Sequence, residues 1–338
     1  MENIGTKLLN ECVLNDIRIN AGMSLHLAIV AQPFYSYMLS GEKIIESRFS
    51  INKCSPYKKV KDKDIIFIKD SGKPVTAYSI IEKVEFFSKD NNLDLNDLKQ
   101  KYSKEICAFE DSFWIDRVEK KYVSLMWITK PISVPPFNID KKDKRGWIDY
   151  NLKYPSTIIL ISGKIGSGKT YWAERISEMF KCKRNSFSDY LKLLCLKQNL
   201  EINRLNLQKI GQMVILSKFE DFMEYTVLNN FKNASILVVD GLRHKKCIDY
   251  FKNIGINVIH INVNPSEEFR KHNIILRDGQ YSEKSDQFET EKQSNELKSS
   301  CDYIINEKTN EKDLYDFLNN SINHRFYNIQ MDMFENKI

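Results

Sequence analysis

Apolar residues fall along this chain in two rhythms. Up to about residue 150 they come as short runs rich in β-branched and aromatic side chains, over 25–31, 64–69, 75–87 and 122–128, each bounded by Gly, Pro, Asp or Lys. Runs of that length and make-up predict strands. Between the first two, Phe34, Tyr37 and Met38 recur at helical spacing until Gly41, which predicts a short helix closed by a glycine. Residues 1–24 read as a helical lead-in. The stretch Pro135–Trp147 is prolyl and charged, and a linker near 150–156 follows. Beyond it the runs STIILISG, ASILVVDG and INVIHINV read as buried strands separated by amphipathic helical stretches such as TYWAERISEMF. Alternation of this kind predicts a parallel sheet covered by helices. The expected organisation is a small mixed, mainly β unit over 25–150, an α/β unit over 156–320 and a tail over 321–338, with no internal repeat.

Length agrees with this division, because 338 residues exceed what one core ordinarily organises. A hydrophobic content of 42% and a charged content of 28% exclude a disordered chain. No run approaches the ~18 apolar residues of a membrane span, and the first residues lack the basic and apolar pattern of a signal peptide, so a cytoplasmic protein without membrane contact is expected. The seven cysteines are scattered without a CxxC pair, which gives no support to a zinc site or a disulfide framework. The net charge of +6 is modest, yet Lys58, Lys59 and Lys61, and again Lys141 to Arg145, concentrate positive charge. Such runs also occur as solvated surface.

The sharpest chemical signal is Gly163-Lys164-Ile165-Gly166-Ser167-Gly168-Lys169-Thr170, a complete GxxxxGK[ST] between an expected strand and an expected helix. Its glycines let successive backbone N–H groups turn inward around a phosphate, and the helix N-terminus adds partial positive charge. Lys169 is expected to reach the β- and γ-phosphates of ATP and Thr170 to ligate Mg²⁺. About seventy residues on, an apolar strand ends in Asp240, followed by Gly241, Leu242 and Arg243. A carboxylate at that end of a strand beside the P-loop is placed to serve as a magnesium-side ligand or a base.

From 157 to 320 the chain resembles the nucleoside monophosphate kinases, and more closely the phage-type deoxynucleoside monophosphate kinases and dephospho-CoA kinases. The resemblance rests on the P-loop, Ser186–Lys192, Arg204 with Leu207–Gly211, Asp240–Arg243 and Asp302–Asn306. It implies that Asp189 and Lys192 border a phosphate acceptor, that Arg204, Gln208 and Arg243 bind it, and that Arg270 and Arg277 belong to a lid. Asp189, Asp240, Arg243 and Arg277 would then join Lys169 in catalysis. Phosphoryl transfer needs positioning and positive charge, which such residues supply. Two bland alternatives stand beside this, Asp189 as a helix cap and Arg204 as a surface residue. The sequence departs from the family after Arg277, where no arginine follows before residue 320.

The N-terminal half resembles the ASCH family, whose β-barrel is related to the PUA fold. The match lies in Gly41–Arg48, Lys69–Pro74, Trp114 and Lys141–Trp147. It implies a pocket for a base, a nucleotide, RNA or DNA, built from Lys43, Glu46, Arg48, Ser71, Trp114 and Trp147. Lys43 and Arg48 can meet phosphate or a carbonyl, Glu46 can accept from an exocyclic amine, and a tryptophan can stack a base. Equally, Glu46 and Arg48 can neutralise each other, and both tryptophans can be core. Where the hydrolytic branch of the family has Thr this chain has Glu46, which favours binding over hydrolysis. Gln330–Phe334 is similar to the short peptides that dock on bacterial DNA sliding clamps.

The whole reading is of a phosphotransferase for a nucleotide fused to a recognition domain. The alternatives are a nucleic-acid-binding regulator switched by ATP and a polynucleotide 5′-kinase.

Overall fold

A computed structural model describes residues 4–140, 145–229, 235–278 and 296–322. The chain divides into two compact units at Leu152/Lys153.

In the first unit the elements run α1 (Ile4–Leu14), β1 (Ser24–Val30), α2 (Phe34–Ser40), β2 (Ile45–Ser50), β3 (Ile65–Asp70), β4 (Val75–Ser88), α3 (Leu95–Ile106), α4 (Asp111–Ile115), β5 (Tyr122–Ile128), β6 (Ile132–Phe137) and β7 (Trp147–Asn151). The strands form one mixed half-barrel in the order β2-β5-β4-β3-β1-β7, with β6 paired to β4. Only β1 and β3 run parallel; the other pairs are antiparallel. The fourteen-residue β4 holds the sheet together by serving β3 and β6 with its first half and β5 with its second, and its register shifts between Ile81 and Lys83. Bulges of that kind bend a strand and let a sheet curl. One core gathers Ala28, Met38, Ile66, Ile68, Met126 and Trp147, and another gathers Ile45, Leu98, Ile106, Trp114, Val123 and Leu125.

Three features depart from the sequence pattern. Helix α1 is no lead-in, because Leu8, Leu9 and Cys12 are fully buried in this unit. The start of the prolyl stretch belongs to strand β6, whose Pro135 and Pro136 cannot donate to a ladder and sit where one neighbour suffices. Strand β7 carries Trp147 into the sheet beside β1.

The second unit runs β8 (Thr157–Ser162), α5 (Lys169–Met179), β9 (Lys183–Ser186), α6 (Phe187–Lys197), α7 (Arg204–Ser217), α8 (Phe219–Leu228), β10 (Ile236–Leu242), α9 (Lys245–Asn253), β11 (Asn257–Val263), α10 (Glu267–Asp278) and β12 (Tyr303–Ile305), then a helix over 311–322. Its five strands are all parallel, in the order β12-β11-β8-β10-β9. Counted within the unit this is 2-3-1-4-5, with the phosphate loop after the first and central strand: a P-loop kinase fold. Strand β8 is buried at every position, as a central parallel strand covered on both faces must be. The last helix contributes Leu314, Leu318 and Ile322 to the core, so the unit runs past residue 320 and includes the start of the expected tail.

Candidate functional site

The carboxyl ends of β8 and β10 open at the point where the chain switches from one side of the central strand to the other, the place where open parallel sheets bind ligands. The P-loop fills that gap. Gly163, Gly166 and Gly168 have φ of 144°, 77° and 89°, a left-handed region open to glycine. A Cβ on Gly163 would meet the Val263 carbonyl oxygen at 2.3 Å, and one on Gly166 the Arg270 carbonyl oxygen at 2.7 Å. A Cβ on Gly168, the residue that caps α5, would meet nothing within 4 Å, so there the positive φ alone calls for glycine. The Lys169 ammonium is turned into this cradle, donating to the carbonyl oxygens of Gly163 at 2.8 Å and Lys164 at 2.7 Å. Ser167 is 3% exposed and its hydroxyl has no partner among the described residues.

The loop opens on a cavity of about 1100 Å³ lined by Gly166, Gly168, Lys169 and Thr170 on one side and by Arg204, Gln208, Asp240, Arg243 and His244 on others. Its remaining walls are largely apolar, with Phe187, Leu191, Ile202, Leu207, Ile215 and Phe222. The Gln208 side-chain oxygen is buried without a partner among the described residues. One cavity thus brings together the P-loop, Asp240, Arg243, Arg204 and Gln208.

Other expected residues lie elsewhere. Asp189 and Lys192 do not line the cavity. Asp189 closes a capping box on α6, accepting from the Ser186 backbone at 3.2 Å, and Lys192 pairs with it at 3.1 Å. The physical reason is that Ser186 ends β9 and starts α6 without a loop, so the carboxylate three residues on must serve the orphan N–H groups. Arg270 is no lid residue. It is 3% exposed, donates to the Ile165 carbonyl oxygen at 3.2 Å and pairs with Glu267 at 3.1 Å, which places it behind the P-loop. Arg277 belongs to α10 by its backbone; its side chain, and residues 279–295 that follow the helix, lie outside the described residues, as does Gln330–Phe334.

Two groups the sequence did not reveal support the loop. Asn273 donates to the Gly166 carbonyl oxygen at 2.9 Å, so α10 braces the P-loop at two successive carbonyls. Under the loop, Ser162 accepts from Asn262 at 2.8 Å and contacts His260 Nε2 at 2.7 Å. Burial pushes the His260 imidazole down to about 4, against the opposing pull of Asp302. None of these carries a motif; their contacts come from neighbouring strands and a distant helix.

In the first unit Lys43, Glu46, Arg48 and Trp147 do converge. Glu46 is 3% exposed, receives Arg48 Nε at 2.7 Å and lies 3.5 Å from Lys43 Nζ. Arg48 also donates to the carbonyl oxygens of Ile29 and Gly146, at 3.0 and 3.2 Å, and its guanidinium lies over the Trp147 ring. Lys43 is 3% exposed and donates to the carbonyl oxygens of Ile45 and Ile106, so it holds the fold and does not face a ligand. Burial lowers its affinity for a proton although Glu46 opposes the shift. Trp114 is core: it is 5% exposed, and its indole N–H donates to the Ala108 carbonyl oxygen at 3.0 Å. Ser71 sits exposed in the β3–β4 turn. Trp147 is buried, 5.3 Å from the His26 ring, and among the described residues neither the Trp147 indole N–H nor His26 Nδ1 has a partner.

No family model matches the chain, and no curated protein matches it. Solved structures align with parts of it. An ASCH protein from Zymomonas mobilis aligns with the N-terminal region at 17% identity and a TM-score of 0.28, covering 34% of this chain and 73% of its own. A gluconokinase from Sinorhizobium meliloti does so at 12% identity and a TM-score of 0.33, covering 53% of this chain and 99% of its own. A shikimate kinase from Aquifex aeolicus does so at 12% identity and a TM-score of 0.31, covering 51% and 99%. At such identities nothing of those proteins' substrates passes to this chain.

Proposed function

We propose that the second unit transfers the γ-phosphoryl group of ATP to a nucleoside monophosphate or a related, modified nucleotide, and that the first unit recognises a base or a nucleic acid. One observation carries the first part: the Lys169 ammonium lies in an open P-loop cradle facing the same cavity as Arg204, Arg243 and Asp240. The positive-φ glycines of the loop and the α5 N-terminus beside the cavity fit a polyphosphate held by backbone. Thr170 and Asp240 both line the cavity and fit Mg²⁺, which takes one or two protein oxygens and completes its shell with phosphate and water. When bound there, the ion neutralises charge on the phosphate oxygens.

The chain's own part is positioning. Arg204 and Arg243 hold the acceptor's phosphate, one of whose oxygens forms the new bond to the γ-phosphorus while the bond to the β–γ bridging oxygen breaks and ADP leaves. The attacking oxygen carries no proton at neutral pH, so no base is needed. Lys169 follows the charge that moves onto the leaving oxygen. The apolar walls, Phe187, Leu207 and Phe222 among them, suit a base and keep water from competing as acceptor.

The test is transfer of labelled phosphate from ATP to a panel of nucleotides. Lys169→Ala is expected to lower the rate by at least ~10²-fold, the scale for a preorganised charge at the transition state. An inactive wild-type chain that binds ATP tightly would sink the reading.

For the first unit, Arg48 and Trp147 offer a cation, a ring and an indole N–H in one place. Several lysines belong to the same unit. Lys53 and Lys58 lie over the rings of Tyr122 and Tyr57, and Lys89 and Lys121 join at the same sheet end; none of the four pairs with a described acid. Oligonucleotide affinity that falls steeply with salt is the expected result. A regulator switched by ATP would retain that affinity in Lys169→Ala while showing no transfer.

A further inference from the structure

Asp240 stands at the carboxyl end of β10, 4% exposed, with a cavity on one side. Its other side is met by a residue that no motif contains. Arg184, on the neighbouring strand β9, donates from Nη1 to Asp240 Oδ2 at 2.8 Å, and its Nη2 lies 3.5 Å from Glu174 on α5, one turn beyond Thr170. Arg184 itself does not line the cavity. The guanidinium therefore reaches the carboxylate along one face of the sheet from a position outside the cavity lining. Glu174 is a looser contact, with its side chain 57% exposed.

We propose that Arg184 is a positioning residue that fixes the Asp240 carboxylate toward the cavity and, by its charge, sets how strongly that carboxylate draws Mg²⁺. This rests on the phosphotransfer reading above. Two consequences of opposite sign follow. A buried carboxylate with no counter-ion is costly, so Arg184 gives Asp240 a charge partner and an orientation before any metal arrives. The same positive charge, 2.8 Å away, competes with a second cation for the carboxylate. Arg184 thus favours a well-placed ligand at the expense of metal affinity, which keeps Mg²⁺ exchangeable with the nucleotide. The β9–β10 register makes this specific: Asp240 pairs with Ser186, so Arg184, two residues earlier, is the side chain on the same face able to reach forward to it.

The experiment compares wild type, Arg184→Gln and Arg184→Lys by Mg²⁺ titration of ATP binding in a calorimeter and by Mg²⁺ titration of phosphate transfer. Arg184→Gln is expected to need roughly three- to tenfold less Mg²⁺ for half-maximal ATP binding, and to lose roughly tenfold in kcat with little change in the KM for ATP, the scale of one lost charge–charge contact near a surface. Arg184→Lys is expected to keep the wild-type Mg²⁺ requirement and recover part of kcat. Because Arg184→Gln leaves Asp240 buried and unpaired, Arg184→Gln/Asp240→Asn serves as the fold control, with its unfolding midpoint expected above that of the single variant. An unchanged or raised Mg²⁺ requirement in Arg184→Gln overturns the proposal while wild-type transfer leaves the phosphotransfer reading intact. A wild-type chain without transfer defeats the underlying reading instead, and the calorimetric Mg²⁺ shift then still reports on Arg184.

Discussion

Gly166 shows how tightly single positions are determined around the P-loop. With φ of 77° and the Arg270 carbonyl oxygen 2.7 Å from where a Cβ would stand, Gly166→Ala must move α10 or distort the loop. About 1–3 kcal/mol of strain is expected, with a loss of ATP affinity measurable by calorimetry. His260 makes a second residue-scale prediction. Its folded value of about 4 lies below its ordinary 6.5, so between those pH values the unfolded chain binds more protons. Stability from this residue is therefore complete above pH 6.5 and is lost as pH falls toward 4, on the order of 3 kcal/mol in all. Asp302 and Lys252 act on it in opposite directions, the first favouring the charged ring. Thermal unfolding across this window should show the acid slope reduced in His260→Gln; an identical slope would reject the assignment. The glycines were legible in the sequence because a backbone conformation excludes side chains. His260 was not, since its burial against Ser162 comes from strand pairing, which no local pattern encodes.

At the scale of elements, the short connection between β9 and α6 decides what Asp189 does. Ser186 and Asp189 form both halves of a capping box. Asp189→Ala is expected to cost about 1 kcal/mol of stability and to leave the KM for an acceptor unchanged. A large rise in KM would restore it to the acceptor site. Helix α10 has a similar structural task, because Asn273 and Arg270 bond two successive P-loop carbonyls. Asn273→Ala should weaken ATP binding more than it lowers the unfolding midpoint, as measured by titration and by thermal unfolding of the same samples. Helices and buried strands were readable from periodicity, β8 and β10 above all. Strand β6 was not, since two prolines mask a segment whose partner is supplied by the bulged β4. Lys43 and Trp114 show the same limit from the other side: residue types suited to a ligand are taken up by backbone carbonyls of the fold itself.

At the scale of the whole chain, two compact units with separate cores predict two responses in one calorimetric scan. ATP with Mg²⁺ should raise the transition of the second unit, by about 2.7 kcal/mol at a hundredfold excess over Kd, and leave that of the first in place. A single transition that moves as one would contradict independent cores. The sequence by itself determined what depends on neighbours along the chain: the strand–loop–helix that builds the phosphate cradle, the strand that delivers Asp240, and the change from a mainly β to an α/β pattern. Tertiary structure alone decided which charges share a cavity and which are neutralised. Arg184 meets Asp240, Arg270 passes behind the loop and Lys43 turns inward because parallel and antiparallel registers bring distant residues within 4 Å, and burial then forces each charge to find a partner.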